Sequence, residues 1–265
     1  MLLKISHTST YHYDTPVPYA LQRLKLTPQT CSTQHVHDWA VTCVAAHREV
    51  IYNDGYNNIT ELIRHERNAV QISITAHGTI TTHDTNGVVG ADRMNTPLWV
   101  YGRQTALTLP GENIRKLADS VSTISPRLSL LHALMAGIND QMVYETGQTN
   151  VETTGEAALT AGHGVCQDLT HVFVAAARLL DIPARYVSGY LMMPDVHDQA
   201  ASHAWAEAHV NGLGWVGFDP ANKICPDDKY VRLAVGLDYR DAAPISGIRH
   251  GSGGETLEVA VKVEQ

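Results

Sequence analysis

The spacing of apolar residues changes once along this chain of 265 residues, and the change divides it into two kinds of structure. Up to about residue 85, apolar and polar residues alternate in segments such as 3–7 and 70–74. Alternation with a period of two is typical of strands that bury one face. An Asp-Gly pair at 54–55 is typical of a turn between strands. We therefore predict a β-rich domain over residues 1–90, built as a small β-sandwich or folded sheet.

Residues 91–110 are irregular and interrupted by proline and glycine, so we place a linker there. Beyond it, apolar residues recur at helical spacing in three segments, of which the clearest begins at Cys166. The apolar residues of this segment share one helical face: Leu169, Val172, Phe173, Ala176, Leu179 and Leu180. The sequence Asp-Ile-Pro at 181–183 predicts the end of the helix.

After this helix the pattern returns to strands. Residues 184–192 form one strand candidate, and residues 203–210 and 215–219 flank a glycine-rich hairpin signal at 211–214. Clean alternation over 257–263 predicts a last strand. Helices followed by an antiparallel sheet indicate an α+β fold, so we predict one α+β domain over residues 111–265.

Composition excludes several classes of protein. Charged residues make up 17% and hydrophobic residues 44% of the chain, which argues against disorder. A net charge of -8 without a Lys/Arg run gives no support for a nucleic-acid partner. No apolar run approaches the roughly 18 residues of a membrane span. The N-terminus lacks the apolar stretch of a signal peptide, so we expect a cytoplasmic protein without a membrane partner.

We expect neither a metal nor an organic cofactor. The sequence HAWAEAH at 203–209 does not match the spacing of zinc ligands on a helix, and no EF-hand occurs. Asp195, Asp198, Asp227 and Asp228 are scattered, which is typical of solvated carboxylates. The four cysteines do not form a disulfide framework, and three of them lie among strand-type residues as ordinary small apolar side chains: Cys31, Cys43 and Cys225.

Cys166 is the exception. It follows two glycines in GHGVCQD at 162–168 and opens the clearest helix. Unpaired N–H groups and the positive end of the helix dipole both stabilise a thiolate, the nucleophilic form of cysteine. The same N–H groups can hold the oxyanion of a tetrahedral intermediate. The alternative is a buried cysteine that only starts a helix.

His203 and Asp219 favour the interpretation of Cys166 as a nucleophile. They lie on two predicted strands joined by a short loop, in SHAWAE and GWVGFDP. An imidazole near the thiol takes its proton, and a carboxylate behind the imidazole fixes its orientation. Taken singly, His203 has the alternative of a structural histidine beside Trp205, and Asp219 that of a turn residue before Pro220.

The triad can form only if the hairpin places His203 and Asp219 on the same face of the sheet. A regular two-residue loop would place Asp219 opposite Ala206, on the other face of the sheet from His203. The triad therefore requires an odd-length loop or a β-bulge, for which Gly214 and Gly217 are the candidate positions.

The motifs GVCQD, IPARYVSGYL, SHAWAE and GWVGFDP resemble the core of bacterial transglutaminase-like proteins, a branch of the papain-like superfamily. The resemblance covers about 110–245, and HTSTYHYDTPV and LKLTP resemble the N-terminal domain common in that family. It implies a papain-like catalytic core and a catalytic triad: Cys166 as nucleophile, His203 as general base and acid, and Asp219 as its orienting partner. It also implies acyl transfer or hydrolysis on a protein or peptide amide through a thioester.

The resemblance leaves the acyl acceptor open between water and an amine. Cross-linking enzymes, peptidases and amidases share such folds, and a catalytically silent binding module is a further alternative. The oligomeric state also stays open.

The second oxyanion donor is not identified by the sequence. The papain-type glutamine six residues before the nucleophile would fall at Thr160. Tyr144, Gln148 and His163 are the candidates instead.

The remaining residues near these motifs are assigned to packing or local electrostatics. The position of Asp168 in the first turn of the helix is explained by the positive end of the helix dipole, which favours a carboxylate there. His171 is expected to pack near the site without acting in it, and Trp205, Trp215 and Tyr190 are expected in the core.

Overall fold

The computed structural model describes residues 1–91, 96–193 and 198–265. The first part of the chain forms strands: β1 Leu2–Val17, β2 Tyr19–Thr27, β3 Gln34–Val44, β4 Ala46–Asn53, β5 Ile59–His65, β6 Ala69–Thr82 and β7 Val88–Gly90. The middle part holds four helices and two short strands: α1 Glu112–Val121, α2 Arg127–Gln141, β8 Val143–Tyr144, α3 Gly155–Ala161, β9 His163–Gly164 and α4 Cys166–Leu179. The last part returns to strands around a short helix: β10 Ala184–Leu191, β11 Asp198–Gln199, β12 His203–Val210, β13 Gly214–Phe218, β14 Tyr230–Gly236, α5 Tyr239–Ala242, β15 Ile245–His250 and β16 Glu255–Glu264.

Two antiparallel sheets form the predicted β domain. One has the strand order β11-β16-β1-β6-β3 and the other the order β15-β2-β5-β4. Alternate residues of β1 and β6 are buried, because successive side chains on a strand point to opposite faces. Leu3 and Ile74 from the first sheet share one core with Leu24 and Ile63 from the second. The two sheets therefore pack as a sandwich.

The last two strands also belong to this sandwich. β16 pairs with β1 from Tyr13 opposite Glu255 to Lys4 opposite Glu264, and β15 pairs with β2. This differs from the predicted domain of residues 111–265, whose C-terminal end lies in the N-terminal sheets. Alternation of apolar residues predicts a strand, but it carries no information about the sheet that the strand joins.

The second half of the fold is a sheet covered by helices. Its strand order is β14-β10-β12-β13-β7. Phe173 of α4 shares a core with Ala206 and Ala208 of β12 and with side chains of α1, α2 and α3. The predicted α+β fold, with helices packed on an antiparallel sheet, is confirmed. Across the described ranges, no helix has both the length and the apolar character of a membrane span.

The predicted linker of residues 91–110 is largely packed into the fold. A 3₁₀ helix at Leu98–Gly102 buries Tyr101, whose ring meets Trp215 edge-on at 5.0 Å. Just before it, β7 pairs with β13. Residues 92–95 of the predicted linker lie outside the described residues.

The sandwich and the second sheet are joined by buried side chains. Nδ1 of His7 lies 3.0 Å from the hydroxyl of Tyr190 in β10. The Gln34 amide binds the backbone of Arg232 in β14, donating to its carbonyl over 2.8 Å and accepting from its N–H over 2.7 Å. Val231 lies in the sandwich core. The sheet that carries His203 and Asp219 is thus held against the sandwich.

Removing β16 tests its place in the sandwich. A chain that ends at residue 251 exposes the edge of β1 and loses the buried Val261 and Val263. We expect it to lose the cooperative unfolding transition of the full chain, measured by circular dichroism in urea. Leu257→Ser, at an exposed position of the same strand, should shift the free energy of unfolding by less than about 0.5 kcal/mol. A truncated chain with an unchanged midpoint would contradict this assignment.

Candidate active site

The thiol of Cys166 lies in the first turn of α4, where a buried carboxylate fixes the chain. Asp168 Oδ2 accepts the N–H of Val165 over 2.8 Å and the hydroxyl of Thr149 over 2.7 Å. Gly164 lies against this carboxylate, because a Cβ added there would be 2.7 Å from the Cβ of Asp168. Burial raises the pKa of Asp168 despite these hydrogen bonds. Asp168 therefore holds the turn that presents the thiol, in addition to its place at the positive end of the helix.

The loop between β12 and β13 has the odd length that the triad requires. Val210 pairs with Gly214, so three residues form the loop, and Gly214 has a φ of 79°. This register brings Asp219 to the face of the sheet that carries His203. Nε2 of His203 lies 2.7 Å from Oδ2 of Asp219. The predicted offset and the predicted contact are both confirmed.

Asp219 is fully buried and accepts hydrogen bonds at both carboxylate oxygens. Oδ2 accepts from His203, from the side-chain amide of Asn222 over 2.8 Å and from the hydroxyl of Tyr230 over 2.7 Å. Oδ1 accepts from the backbone N–H groups of Ala221 and Asn222. Burial raises the pKa of this carboxyl, but His203, Asn222 and Tyr230 together hold the pKa of Asp219 below its usual value. The carboxylate is therefore ionised and fixed in position.

His203 lies between Asp219 and Cys166. Its Nε2 is engaged by Asp219, so Nδ1 is the ring nitrogen that remains for the thiol, and His203 and Cys166 line the same cleft. Burial lowers the pKa of this imidazole, but the hydrogen bonds and charges of Asp219 and Cys166 raise the pKa of His203 to about 10. The Trp205 ring stacks on the imidazole, with an interplanar angle of 27° and 6.3 Å between the ring centroids. The structure thus brings together all three side chains of the predicted triad.

A cleft of about 600 Å³ opens over Cys166 and His203. Cys166 is only 9% exposed, so a reagent reaches its sulfur through this cleft. Other residues that line it are Tyr144, Tyr186, Ser188, Met193, Gln199 and Tyr239. The lining combines aromatic surface with a few hydroxyl and amide groups, as is common in sites that bind organic ligands.

One of the three candidate oxyanion donors lines this cleft. Burial and the nearby charges of Cys166, Asp219 and Asp168 raise the pKa of Tyr144 to about 12, so its hydroxyl keeps a proton to donate. Gln148 is exposed, and its amide donates to Glu145. His163 is not among the cleft-lining residues. Tyr144 is therefore the candidate that the geometry favours.

The aromatic residues near the motifs are core residues, as predicted. Trp205, Trp215 and Tyr190 are each at most 2% exposed. His171 packs behind the site, where its Nε2 accepts the N–H of Tyr239 over 3.1 Å. Burial lowers the pKa of His171 to about 3, so this imidazole is neutral.

Three of the carboxylates considered as metal ligands have other partners in the structure. Glu207 is buried against two arginines. Asp227 accepts a backbone N–H, and Asp228 lies 3.6 Å from the N-terminal amino group. Asp195 lies outside the described residues, as does the side chain of Asp198. Among the residues that are described, no three His, Cys, Asp or Glu side chains are grouped around a possible metal position.

Two side chains that hold Asp219 were not identified from the sequence. Asn222 lies three residues after Asp219, and its side-chain amide folds back onto that carboxylate. The Asp-Pro sequence at 219–220 indicates a turn here, but it does not indicate this hydrogen bond. Tyr230 has no such signal, because it comes from β14, which lies two strands away from β12 in the sheet.

The comparison with known protein families agrees with this geometry. Residues 115–220 match the transglutaminase-like superfamily, and residues 3–81 match the bacterial transglutaminase-like N-terminal region. The chain is a bacterial transglutaminase-like protein. Its triad candidates all lie inside the first of these matched ranges, and the strands β1 to β6 account for the second.

Relatives of this transglutaminase-like protein share nearly its whole length. An uncharacterized protein of Mycobacterium leprae is 26% identical over 278 residues, covering 98% of each chain. One of Mycobacterium tuberculosis is 26% identical over 290 residues, covering 98% of this chain and 91% of the relative. The crystal structure of a candidate cysteine protease from Cytophaga hutchinsonii matches with a TM-score of 0.77 and 23% identity, covering 100% of this chain and 90% of the other. This last likeness shows a shared fold.

The pKa of His203 predicts a pH dependence of stability. An unfolded histidine has a pKa of about 6.5, whereas Asp219 and Cys166 raise the pKa of folded His203 to about 10. Its protonation therefore stabilises the fold fully below about pH 6.5, and this contribution is lost as the pH rises through about 10. In urea titrations, the difference in free energy of unfolding between wild type and His203→Gln should shrink over that interval. A difference that stays constant would contradict the raised pKa.

Proposed function

We propose that this chain catalyses cysteine-dependent acyl transfer or hydrolysis at an amide carbonyl of a protein or peptide, through a thioester on Cys166. The observation that carries the proposal is that Cys166 and His203 line one cleft and that a buried, ionised Asp219 is hydrogen-bonded to His203. A thiol, an imidazole and an orienting carboxylate in this order are the parts that nucleophilic acyl chemistry requires.

The first step uses the proton that His203 holds. The raised pKa keeps the imidazole protonated near neutral pH, so the sulfur of Cys166 attacks the carbonyl carbon as a thiolate. The carbonyl π electrons move onto oxygen, giving a tetrahedral intermediate. When it collapses, the C–N bond breaks, the leaving nitrogen takes the proton from His203, and a thioester remains on Cys166.

The second step reverses these roles. Water or an amine attacks the thioester and gives its proton to His203. The C–S bond breaks, and the sulfur leaves as the thiolate that pairs with the protonated imidazole. Asp219 keeps its negative charge throughout and stabilises the imidazolium, while its bonds to Asn222 and Tyr230 keep it from turning away.

Tyr144 is proposed as the second donor to the oxyanion, beside the N–H groups at the start of α4. It lines the same cleft as Cys166, and its hydroxyl is protonated. A phenol and a helix N-terminus together supply two donors to the developing charge.

Replacing Tyr144 with Phe tests this role. We expect kcat on a confirmed substrate to fall by about 10²- to 10³-fold, since removing one oxyanion donor has this order of effect. KM should change little, because the hydroxyl acts on charge that develops after binding. Alkylation of Cys166 by iodoacetamide forms no oxyanion and should proceed at the wild-type rate. A variant with unchanged kcat would remove Tyr144 from the site.

Cys166 should be the fastest-reacting thiol of the chain. Burial raises the pKa of Cys43 and of Cys225, whereas Cys166 contacts a protonated imidazole. Iodoacetamide labelling near neutral pH, followed by peptide mass spectrometry, measures all four rates in one sample. His203→Ala should slow Cys166 selectively. Equal rates for Cys166 and Cys31 would contradict the proposed pair.

Turnover separates the nucleophile from its supporting residues. Peptides that contain glutamine, offered with and without a primary amine, distinguish transfer to the amine from release of the acid, and cleavage of the peptide chain reports a peptidase. Cys166→Ala should lower the rate by about 10⁶-fold and Asp219→Ala by about 10⁴-fold, as in triads of the same logic. Cys225→Ala serves as the matched control. Wild-type turnover in Cys166→Ala would refute the mechanism.

A further inference from the structure

A second groove, of about 640 Å³, opens beside the catalytic cleft on the outer face of the sandwich. One wall is the sheet β15-β2-β5-β4, from which Leu21, Leu62 and Ile248 line the groove. The opposite wall is formed by Val151, in the loop before α3, and by Tyr239 of α5. The groove therefore lies between the two halves of the protein.

Tyr239 connects this groove to the catalytic cleft, because its side chain lines both. Its ring lies 6.2 Å from that of Tyr186 and packs against the cluster that contains Cys166. Its N–H is bound to the buried His171. A chain whose reacting residue occupies the cleft can thus continue past a fixed aromatic ring into the groove.

Apolar side chains on both walls are exposed to solvent. Ile248 is 68% exposed and Val151 is 54% exposed, although they face a common concave surface. Burying such side chains against apolar groups of a partner is favourable in proportion to the area removed from water. The groove is therefore suited to an apolar segment.

Two guanidinium groups in the groove favour a ligand that also carries a negative charge. Arg23 and Arg240 line the groove against a single carboxylate, that of Glu152. Within the described ranges neither arginine takes part in an ion pair, and the chain as a whole has a net charge of -8. Unpaired cations in this setting are complementary to an acidic group beside the apolar segment.

We propose that this groove is a subsite for the acyl donor, and that it binds an extended polypeptide segment with apolar side chains and an adjacent acidic residue. The inference rests on the proposed function, since it extends the substrate of the Cys166 cleft. It assigns the sandwich a role in substrate choice, because one wall of the groove belongs to β15, β2 and β5.

Peptide reagents with one common reactive group measure this preference. The probes are iodoacetyl-Leu-Leu-Glu-amide and the same group on the lysine side chain of acetyl-Glu-Leu-Leu-Lys-amide, so that both chain directions are sampled. Each has a counterpart with glycine in place of leucine and glutamate. The readout is the rate of Cys166 labelling by each probe divided by its rate with iodoacetamide. In the wild type, at least one leucine probe should exceed its glycine counterpart about tenfold or more.

Substitutions on the two walls locate the preference. Ile248→Asp and Val151→Asp each place a charge at an exposed position and should reduce the leucine preference to near unity. Val44→Asp is the matched control, because Val44 is also 68% exposed but lies on β3 of the other sheet. It should keep the preference. A third version of the faster probe, with glutamine in place of glutamate, should react more slowly with the wild type, and Arg23→Gln with Arg240→Gln should remove that difference. A glutamate advantage that survives in this double variant would refute the role of the two arginines.

The outcomes separate the two proposals. If iodoacetamide fails to label Cys166 selectively in the wild type, the proposed function fails. If that labelling is selective but leucine and glycine probes react alike, the subsite is refuted while the proposed function stands. A leucine preference that survives in both wall variants also refutes the subsite.

Discussion

The site depends on the hydrogen bond between the buried carboxylate of Asp219 and the imidazole of His203. Burying an ionised group is costly unless it is paired and hydrogen-bonded, and here both oxygens are occupied by donors. The charge that Asp219 retains is one reason that His203 has a raised pKa. The carboxylate engages Nε2 of the imidazole, which leaves Nδ1 for Cys166 in the shared cleft. The negative charge of Asp219 therefore acts on the Cys166 thiol through His203.

That charge is positioned by backbone geometry. The three-residue loop after Val210 sets the side of the sheet on which Asp219 falls, and the second sheet is in turn held against the sandwich by Tyr190 and Gln34. Both ends of the chain meet in the sandwich, since β16 pairs with β1. The N-terminal region is thus part of one structure with the half that holds Cys166, and it supplies a wall of the groove beside the cleft.

Much of this arrangement was predictable from the sequence, where local patterns carry it. The helix after Cys166 follows from its apolar spacing, and the odd hairpin loop follows from the requirement that His203 and Asp219 share a face. Contacts between distant segments were not predictable in the same way. Tyr230 reaches Asp219 from another strand, and β16 joins the far sheet, because strand patterns specify a buried face and not a partner. Residues 98–102 were assigned to a linker because proline and glycine mark irregular backbone, which can still be packed, as Tyr101 is.

An acyl group on Cys166 is the species that distinguishes an enzyme from a silent binding module with the same fold. Mixing the protein with an activated acyl donor such as p-nitrophenyl acetate, quenching in acid and mapping the peptides by mass spectrometry measures where the acyl group resides. We expect one acyl group on the peptide that contains Cys166. Adding a primary amine should speed the loss of that group, and Cys166→Ala should form no such adduct. Release of p-nitrophenol without an acyl group on Cys166, or with the group on another residue, would contradict the central claim.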